Sequence, residues 1–257
     1  MRRSELVLAV YLPTALLSFG QGLLLATLPL FAATYDVSYG IVSFVVGAAA
    51  LGTLFTDVPA GAFLAKIGLR RAMLGGSSLV AISTVLLVFD LPLGMVIALR
   101  LVAGIGTAVW GLSRHAYIAA AIPVAMRGRA VSVFGGINRI GVLGGPAIGG
   151  VLAQVYGLQS AFVASGLMAT AALVLSYFVV KVGANANLTT TRRTRWTLVG
   201  RLFQTNGRDL AAASVAQIFA QMIRAGRQLI IPLYGAEVIG LEAAEIGLVM
   251  TLSLIHI

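Results

Sequence analysis

Five charged side chains interrupt long apolar runs: Asp57, Arg100, Arg139, Arg224 and Arg227. Around them stand uncharged hydrogen-bonding residues at helical spacing. Thr14, Ser18 and Gln21 share one face of the first run; Arg100, Gly104, Thr107, Gly111 and Arg114 follow steps of three or four on the fourth. Gln217, Gln221, Arg224 and Gln228 form the longest polar stripe, with Arg227 beside it. A charge at the centre of a bilayer costs at least about 2.5–3.5 kcal/mol, so such residues face water, a solute or one another. The chemistry they suit is binding and passing a polar solute or a proton, not making covalent bonds. The chain has no cysteine, and His115 and His256 lie far apart. There is no serine–histidine–acid set, no paired acids and no phosphate loop, so no enzyme activity, metal site or cofactor is expected.

Asp57 is the single acid among the five and can neutralise one arginine at most. Two arrangements remain open. Carboxylates elsewhere meet the arginines, or the cavity is positive and takes an anionic or strongly polar substrate.

The elements that must hold these residues are membrane helices. Of 257 residues, 59% are hydrophobic and 10% charged, against about 25% charged in a soluble domain. Apolar runs near 6–33, 41–64, 72–89, 92–119, 129–155, 158–180 and 210–234 each approach the roughly 20 residues of a span, and an eighth begins near Ile246. The expected class is an all-α polytopic membrane protein. Met1-Arg2-Arg3 before an apolar run looks like a signal peptide, but the run is longer than the 7–15 residues of such a core and reads as the first span.

The net charge of +10 is distributed by side. Arg2 and Arg3; Lys66, Arg70 and Arg71; Arg114, Arg127 and Arg129; and Lys181, Arg192, Arg193, Arg195, Arg201 and Arg208 fall at alternate connections, 14 of the 18 basic residues. The other side carries Asp36, Asp90, Glu237, Glu242 and Glu245 and no Lys or Arg. The positive-inside rule places the N-terminus in the cytoplasm of a multi-pass cell-membrane protein. The asymmetry accounts for the basic charge without nucleic acid, and it opposes a seven-helix receptor with an outside N-terminus. Residues 182–208 form the longest polar stretch and read as a linker; within it Trp196, Val199, Leu202 and Phe203 share a helical face, which suits either a helix on the inner lipid surface or a plain basic linker. The last six residues, 252–257, resemble a translated sequencing adaptor, or else are ordinary eighth-helix residues; with no exit to the eighth helix, the chain reads as a C-terminally truncated fragment.

Residues 135–150 hold seven glycines, a proline and Arg139. Small residues let membrane helices approach closely. Arg139 follows Arg129 by ten positions, about 15 Å of helix, which puts it near the midplane.

The pattern Gly141-x-x-x-Gly145-Pro146-x-x-Gly149-Gly150 resembles the fifth-helix antiporter motif of the major facilitator superfamily. Arg100-x-x-x-Gly104-x-Gly106 is similar to that family's fourth-helix motif, whose arginine is associated with proton coupling, and Gly20-Gln21-Gly22 before Pro29 looks like its first-helix pattern. Gly61 to Arg71 resembles its loop signature: Lys66, Gly68 and Arg70 match, whereas Ala65 replaces aspartate and Leu69 replaces arginine. The missing aspartate leaves the loop's usual charge clasp in doubt. The resemblance implies a drug/proton antiporter-like secondary transporter: a six-helix N-terminal half over 1–181, the linker 182–208, and the start of a C-terminal half over 209–257. It implies a midplane site between the halves, lined by the first, fourth and seventh helices, with Gln21, Arg100, Gln217, Gln221, Arg224 and Arg227 on the pathway. Coupling and gating would fall to Asp57, Arg100, Arg139, Gly141, Gly145, Pro146, Gly149 and Gly150, and Gly61, Lys66, Gly68, Arg70 and Arg71 would form the loop motif. The partners implied are a small-molecule substrate, protons and the lipid bilayer. A transporter-like sensor or scaffold without flux, and a uniporter or symporter of an anionic metabolite, are the alternatives.

Overall fold

A computed structural model describes residues 7–180 and 192–255. Its helices are α1 Val7–Ala33, whose first turn is π-helical; α2 Tyr39–Ile67; α3 Leu69–Leu86; α4 Leu93–Ala121; α5 Val124–Tyr156; α6 Gln159–Val179; α7 Arg192–Tyr234; and α8 Ala243–Ile255. No strand occurs among the described residues.

Turn chemistry sets the breaks. Pro92 and Pro123 precede α4 and α5, where a missing N–H costs nothing. Gly68 between α2 and α3 sits at φ 82° and Gly157 between α5 and α6 at φ 87°, a left-handed backbone that glycine enters without a Cβ penalty. Pro29, Pro59, Pro146 and Pro232 lie inside helices, as neighbouring helices in a bilayer permit.

Five helices are long and apolar enough to cross a membrane by length and composition: Val7–Ala33, Tyr39–Asp57, Leu93–Ala120, Val124–Tyr156 and Gln159–Val179. The apolar runs expected at 72–89 and 210–234 do not reach that standard. The third helix begins earlier than its run, at Leu69, and takes in Arg70 and Arg71; the seventh carries the Gln and Arg stripe. The seventh also reaches back to Arg192 and bends at Asn206 (φ −130°, ψ 25°), so helix covers part of the expected linker. Residues 181–191 and the expected lipid-facing side chains Trp196, Val199, Leu202 and Phe203 lie outside the described residues, as does His256.

α1 packs lengthwise against α5 and α6, α4 against α2 and α3, and α3 against α6. Exchanging α1, α2 and α3 for α4, α5 and α6 reproduces this pattern, so the six helices form two three-helix units related by an internal pseudo-two-fold. The two larger of four apolar clusters among the described residues fill the two ends of the bundle. Val10, Leu17, Met73, Trp110 and Ile118 lie towards the end where the basic connections gather. Leu28, Phe31, Val45, Leu87 and Phe162 lie towards the acidic end, where Phe31 meets Phe162 edge-on at 4.8 Å. At that end the Tyr35 hydroxyl donates to Leu91 O at 2.8 Å, and burial, then the Asp90 carboxylate, raise its pKa. Large apolar side chains such as Phe55, Ile140 and Phe178 stand exposed around the outside, as a lipid-facing perimeter requires.

Candidate substrate cavity

A cavity of about 250 Å³ lies inside the bundle. α1 contributes Gln21, α2 Thr53, α3 Thr84, α4 Arg100 and Thr107, α6 Ser165, and α7 Gln228; the rest of the wall is mainly leucine, valine and alanine. Arg100 reaches it because α2 and α4 nearly touch there. A Cβ built on Gly104 would lie 3.0 Å from Ala49 Cα, and one on Gly52 would lie 3.2 Å from Gly104 Cα. Arg100 lies one turn before Gly104 on the same face of α4.

Among the described residues Arg100 is the single charged one in the lining, and its buried Nε has no hydrogen-bond partner. Thr53 donates its hydroxyl to Ala49 O and Gly104 O, both at 3.1 Å, and Thr107 donates to Ala103 O at 2.8 Å. Those hydroxyls have spent their protons on backbone. The donors left for a solute are the guanidinium, the amides of Gln21 and Gln228, and the hydroxyls of Thr84 and Ser165.

The other residues singled out by sequence are distributed as follows. Gln217, Gln221 and Arg224 are exposed, on the part of α7 that stands away from the bundle, and Arg224 Nη1 donates to Gln221 Oε1 at 3.0 Å. Arg227 turns to α8, where Nη1 donates to Ser253 O at 2.8 Å and Nε is buried without a partner. Gln228 is the member of that stripe that reaches the cavity. Asp57 is exposed on α2, one turn beyond Thr53 on the same face. Arg139 is exposed on α5, two turns before Pro146 and on Pro146's side of the helix.

The small residues of α5 serve two neighbours. Gly141, Gly145 and Gly149 face α1: a Cβ on Gly141 would lie 2.8 Å from Ser18 Cβ, and one on Gly22 would lie 2.9 Å from Gly145 Cα. Asn138 Nδ2 donates to Ser18 Oγ at 2.6 Å on the same seam. Gly150 and the Pro146 carbonyl face α8, against Ala243 and Gly247. The Ala147 N–H, next to the proline that disrupts the helical ladder, donates to Thr251 Oγ1 at 3.1 Å.

α7 and α8 close over the acidic end. Leu229 and Leu233 join the apolar cluster there. The Tyr39 hydroxyl donates to Glu237, Gln154 Nε2 donates to Glu242, and the Ala244 N–H donates to Gln154 Oε1 at 3.1 Å. Towards the basic end, α7 from Gly207 to Ala225 is almost wholly exposed. The two parts of the chain therefore meet at the acidic end and stand apart at the basic end.

In the loop motif, Gly61 is half-buried, Lys66 and Arg71 are exposed, and Gly68 makes the turn. Arg70 forms a clasp across the bundle: Nε donates to Val180 O at 2.8 Å and Nη2 to Tyr177 O at 3.1 Å, over the Tyr177 ring. The carbonyls at the end of α6 thus stand in for the missing aspartate.

The basic connections expected on one side include Arg114, which also falls on the polar face of the fourth run. The structure corrects this: it is 6% exposed, between the Trp110 and Phe134 rings, with its guanidinium carbon 4.2 and 3.8 Å from their centroids. Its Nη1 reaches Thr14 Oγ1 at 3.5 Å and its Nε is unpartnered. α4 runs to Ala121, so the arginine lies well inside the helix, not at its end. The signal present in the sequence was an aromatic residue four positions before it. Among the described residues no group of His, Asp or Glu is arranged to hold a metal ion.

Residues 10–256 match the family model of the Major Facilitator Superfamily. An uncharacterised MFS-type transporter of Methanocaldococcus jannaschii is 26% identical over 172 residues, covering 66% of this chain and 44% of that protein. The MFS-type transporter ppzB of Metarhizium rileyi is 27% identical over 128 residues, 50% of this chain and 26% of that one. The chain thus spans less than half the length of these relatives. Among solved structures, a bacterial homologue of the human lysosomal transporter Spinster, inward-facing and unoccupied, superimposes with a TM-score of 0.80 at 15% identity, covering 95% of this chain and 58% of that one. A D-xylose–proton symporter gives 0.68 at 17% identity, covering 99% and 66%. At these identities the likeness is one of fold.

Proposed function

The chain belongs to the major facilitator superfamily, a family of multi-pass membrane transporters, and on that premise we propose that it works as a secondary transporter by alternating access, exporting a small organic solute in exchange for protons. The observation that carries this reading is the joint arrangement of the cavity and its closure. A polar-headed cavity built by α1, α2, α3, α4, α6 and α7 is sealed on the acidic side by α5 against α8 and is flanked by separated helices on the basic side. By the positive-inside rule the basic side is cytoplasmic, so this arrangement is the one that loads solute from the cytoplasm.

The residues divide the work. Gln21, Arg100 and Gln228 hold the solute near the midplane, where such folds bind it between halves that rock about the site. Gln217, Gln221 and Arg224 line the approach from the cytoplasm. Gly150 and Pro146 let α5 and α8 form a backbone-to-backbone seal that opens when the halves rock. Among the described residues no carboxylate lines the cavity. Asp57, one turn beyond Thr53 at the open mouth, is then the proton-carrying group on this side, and Arg139 is the charge that α8's half must approach when the cytoplasmic side closes.

Efflux in everted vesicles separates these roles. A proton gradient drives transport, and an ionophore abolishes it; transport that continues unchanged with the ionophore overturns the coupling. Asp57→Asn loses proton-driven flux while retaining solute exchange between the two faces, whereas loss of both reduces Asp57 to a structural role. Full transport by Arg139→Ala removes Arg139 from the mechanism.

A further inference from the structure

We propose that the solute held at Arg100 is an amphipathic organic monoanion: one carboxylate-like head on a small apolar body. The inference rests on reading this cavity as the transport site and adds the substrate's charge and size.

The charge follows from the lining. Among the described residues Arg100 is its single charged one, and its Nε is buried without a hydrogen-bond partner. A guanidinium keeps its charge, so it cannot escape desolvation by losing a proton. A guanidinium without a counter-charge inside the bundle is costly, and an anion accepting from its N–H groups offsets that cost. The neutral groups point the same way. Thr53 and Thr107 have their protons committed to backbone carbonyls, whereas the amides of Gln21 and Gln228 and the hydroxyls of Thr84 and Ser165 can donate. The lining therefore presents donors to a head group and no carboxylate to a cation.

The body follows from the rest of the wall and the volume. Leu17, Leu24, Leu25, Leu28, Val46 and Val80 surround the polar corner. The 250 Å³ is below the roughly 300–1,000 Å³ of pockets for drug-sized ligands. That suits a single ring or short chain better than a multi-ring drug. Export of an anion in exchange for an entering proton moves charge in the direction that an inside-negative potential favours on both counts.

The test is equilibrium binding by the protein in phosphatidylcholine nanodiscs, with three probes sharing one ring: benzoate, benzamide and benzylamine. Benzoate binds at least about tenfold tighter than benzamide, the ratio expected of a charge-assisted over a neutral hydrogen bond, and benzylamine binds weakest. Arg100→Gln brings benzoate and benzamide to nearly equal affinity. Gln228→Leu weakens both alike, and Arg129→Gln, an exposed charge outside the cavity, leaves the order intact. The folding of Arg100→Gln is checked by monodispersity, and Arg100→Lys, which retains the charge without the fork, keeps part of the preference. Absence of saturable benzoate binding at millimolar concentration, amide or amine affinity equal to that of benzoate, or a preference that survives Arg100→Gln overturns the assignment. Binding needs no gradient, so the two readings fail separately. Benzoate selectivity without proton-driven efflux removes the coupling alone, and proton-driven efflux with amine selectivity removes the anion alone.

Discussion

At the scale of single residues, the glycines of α5 differ sharply although they lie side by side. Gly145 faces the Gly22 backbone of α1, and the reciprocal Cβ on Gly22 would lie 2.9 Å from Gly145 Cα. A Cβ on Gly144 would meet Phe19 Cε2 at 3.6 Å, an ordinary contact. Overpacking a tight site costs about 1–3 kcal/mol, whereas alanine for glycine in an open helical position gains up to about 1 kcal/mol. Gly145→Ala therefore lowers the thermal midpoint of the purified protein, and Gly144→Ala leaves it unchanged or raises it. Equal midpoints would mean that α1 and α5 do not meet as described. The sequence marked these residues as small and closely spaced, but not which neighbour each faces. One glycine face meets α1 and the other α8, because positions 149 and 150 stand about 100° apart on one helix. Arg114 was illegible for a related reason. Hydropathy along the chain counts an arginine near the end of a run as a boundary, and the two rings that make its burial tolerable come from different helices.

At the scale of elements, the loop after α2 works by a route its motif did not forecast. Position 65 lacks the aspartate of the signature, yet Arg70 is held by the last carbonyls of α6, acceptors that every helix C-terminus leaves free. The clasp ties the start of α3 to the end of α6, the two helices that meet on the pseudo-two-fold. Arg70→Ala should cost roughly 1–2 kcal/mol, at the lower end for bonds to a charged group because the site is partly open to water. Arg70→Lys should recover less than half of it, since an ammonium cannot fork between two carbonyls. Thermal midpoints of the three proteins check this, and no loss in Arg70→Ala would make the clasp incidental. Helix existence was plain from apolar runs through α6. Helix extent was not: α7 continues back to Arg192 because arginine is a good helix former that hydropathy scores as loop. The cavity was half legible for the same reason. Gln21 and Arg100 stood out as polar residues in apolar runs, but of the α7 stripe only Gln228 enters the cavity, and which turn of α7 meets the bundle is decided by Leu229 and Leu233 packing at its far end.

At the scale of the whole molecule, the alternating access proposed for this chain requires that the acidic-end contact be breakable. A transporter that cycles must keep its two arrangements within a few kcal/mol, since only then do solute and proton shift the balance. Beside the packing of Gly150 on Ala243 and of Ile246 and Met250 on Ala26, the seal holds polar contacts weak enough to break. They are the Ala147–Thr251 bond, the contacts of Gln154 with Glu242 and the Ala244 N–H, and the Tyr39–Glu237 bond. Each is worth about 0.5–1.5 kcal/mol net, more where a carboxylate accepts. Gln154→Leu deletes two of them at once without touching the cavity. A loss of 1–2 kcal/mol raises the minor, outward-open population roughly 5–30-fold. The chain has no cysteine, so a single Leu25→Cys in the cavity wall is a clean reporter. When opening and closing are fast, its labelling by a membrane-impermeant maleimide from the outer face is proportional to that population. Gln154→Leu should speed outside labelling of Leu25→Cys by that factor and slow labelling from the cytoplasmic face little, because the inward-open state remains the major one. Equal outside rates with and without Gln154 would show that the acidic-end contacts do not gate the cavity. Faster labelling from the cytoplasmic face alone would reverse the assignment of the two ends.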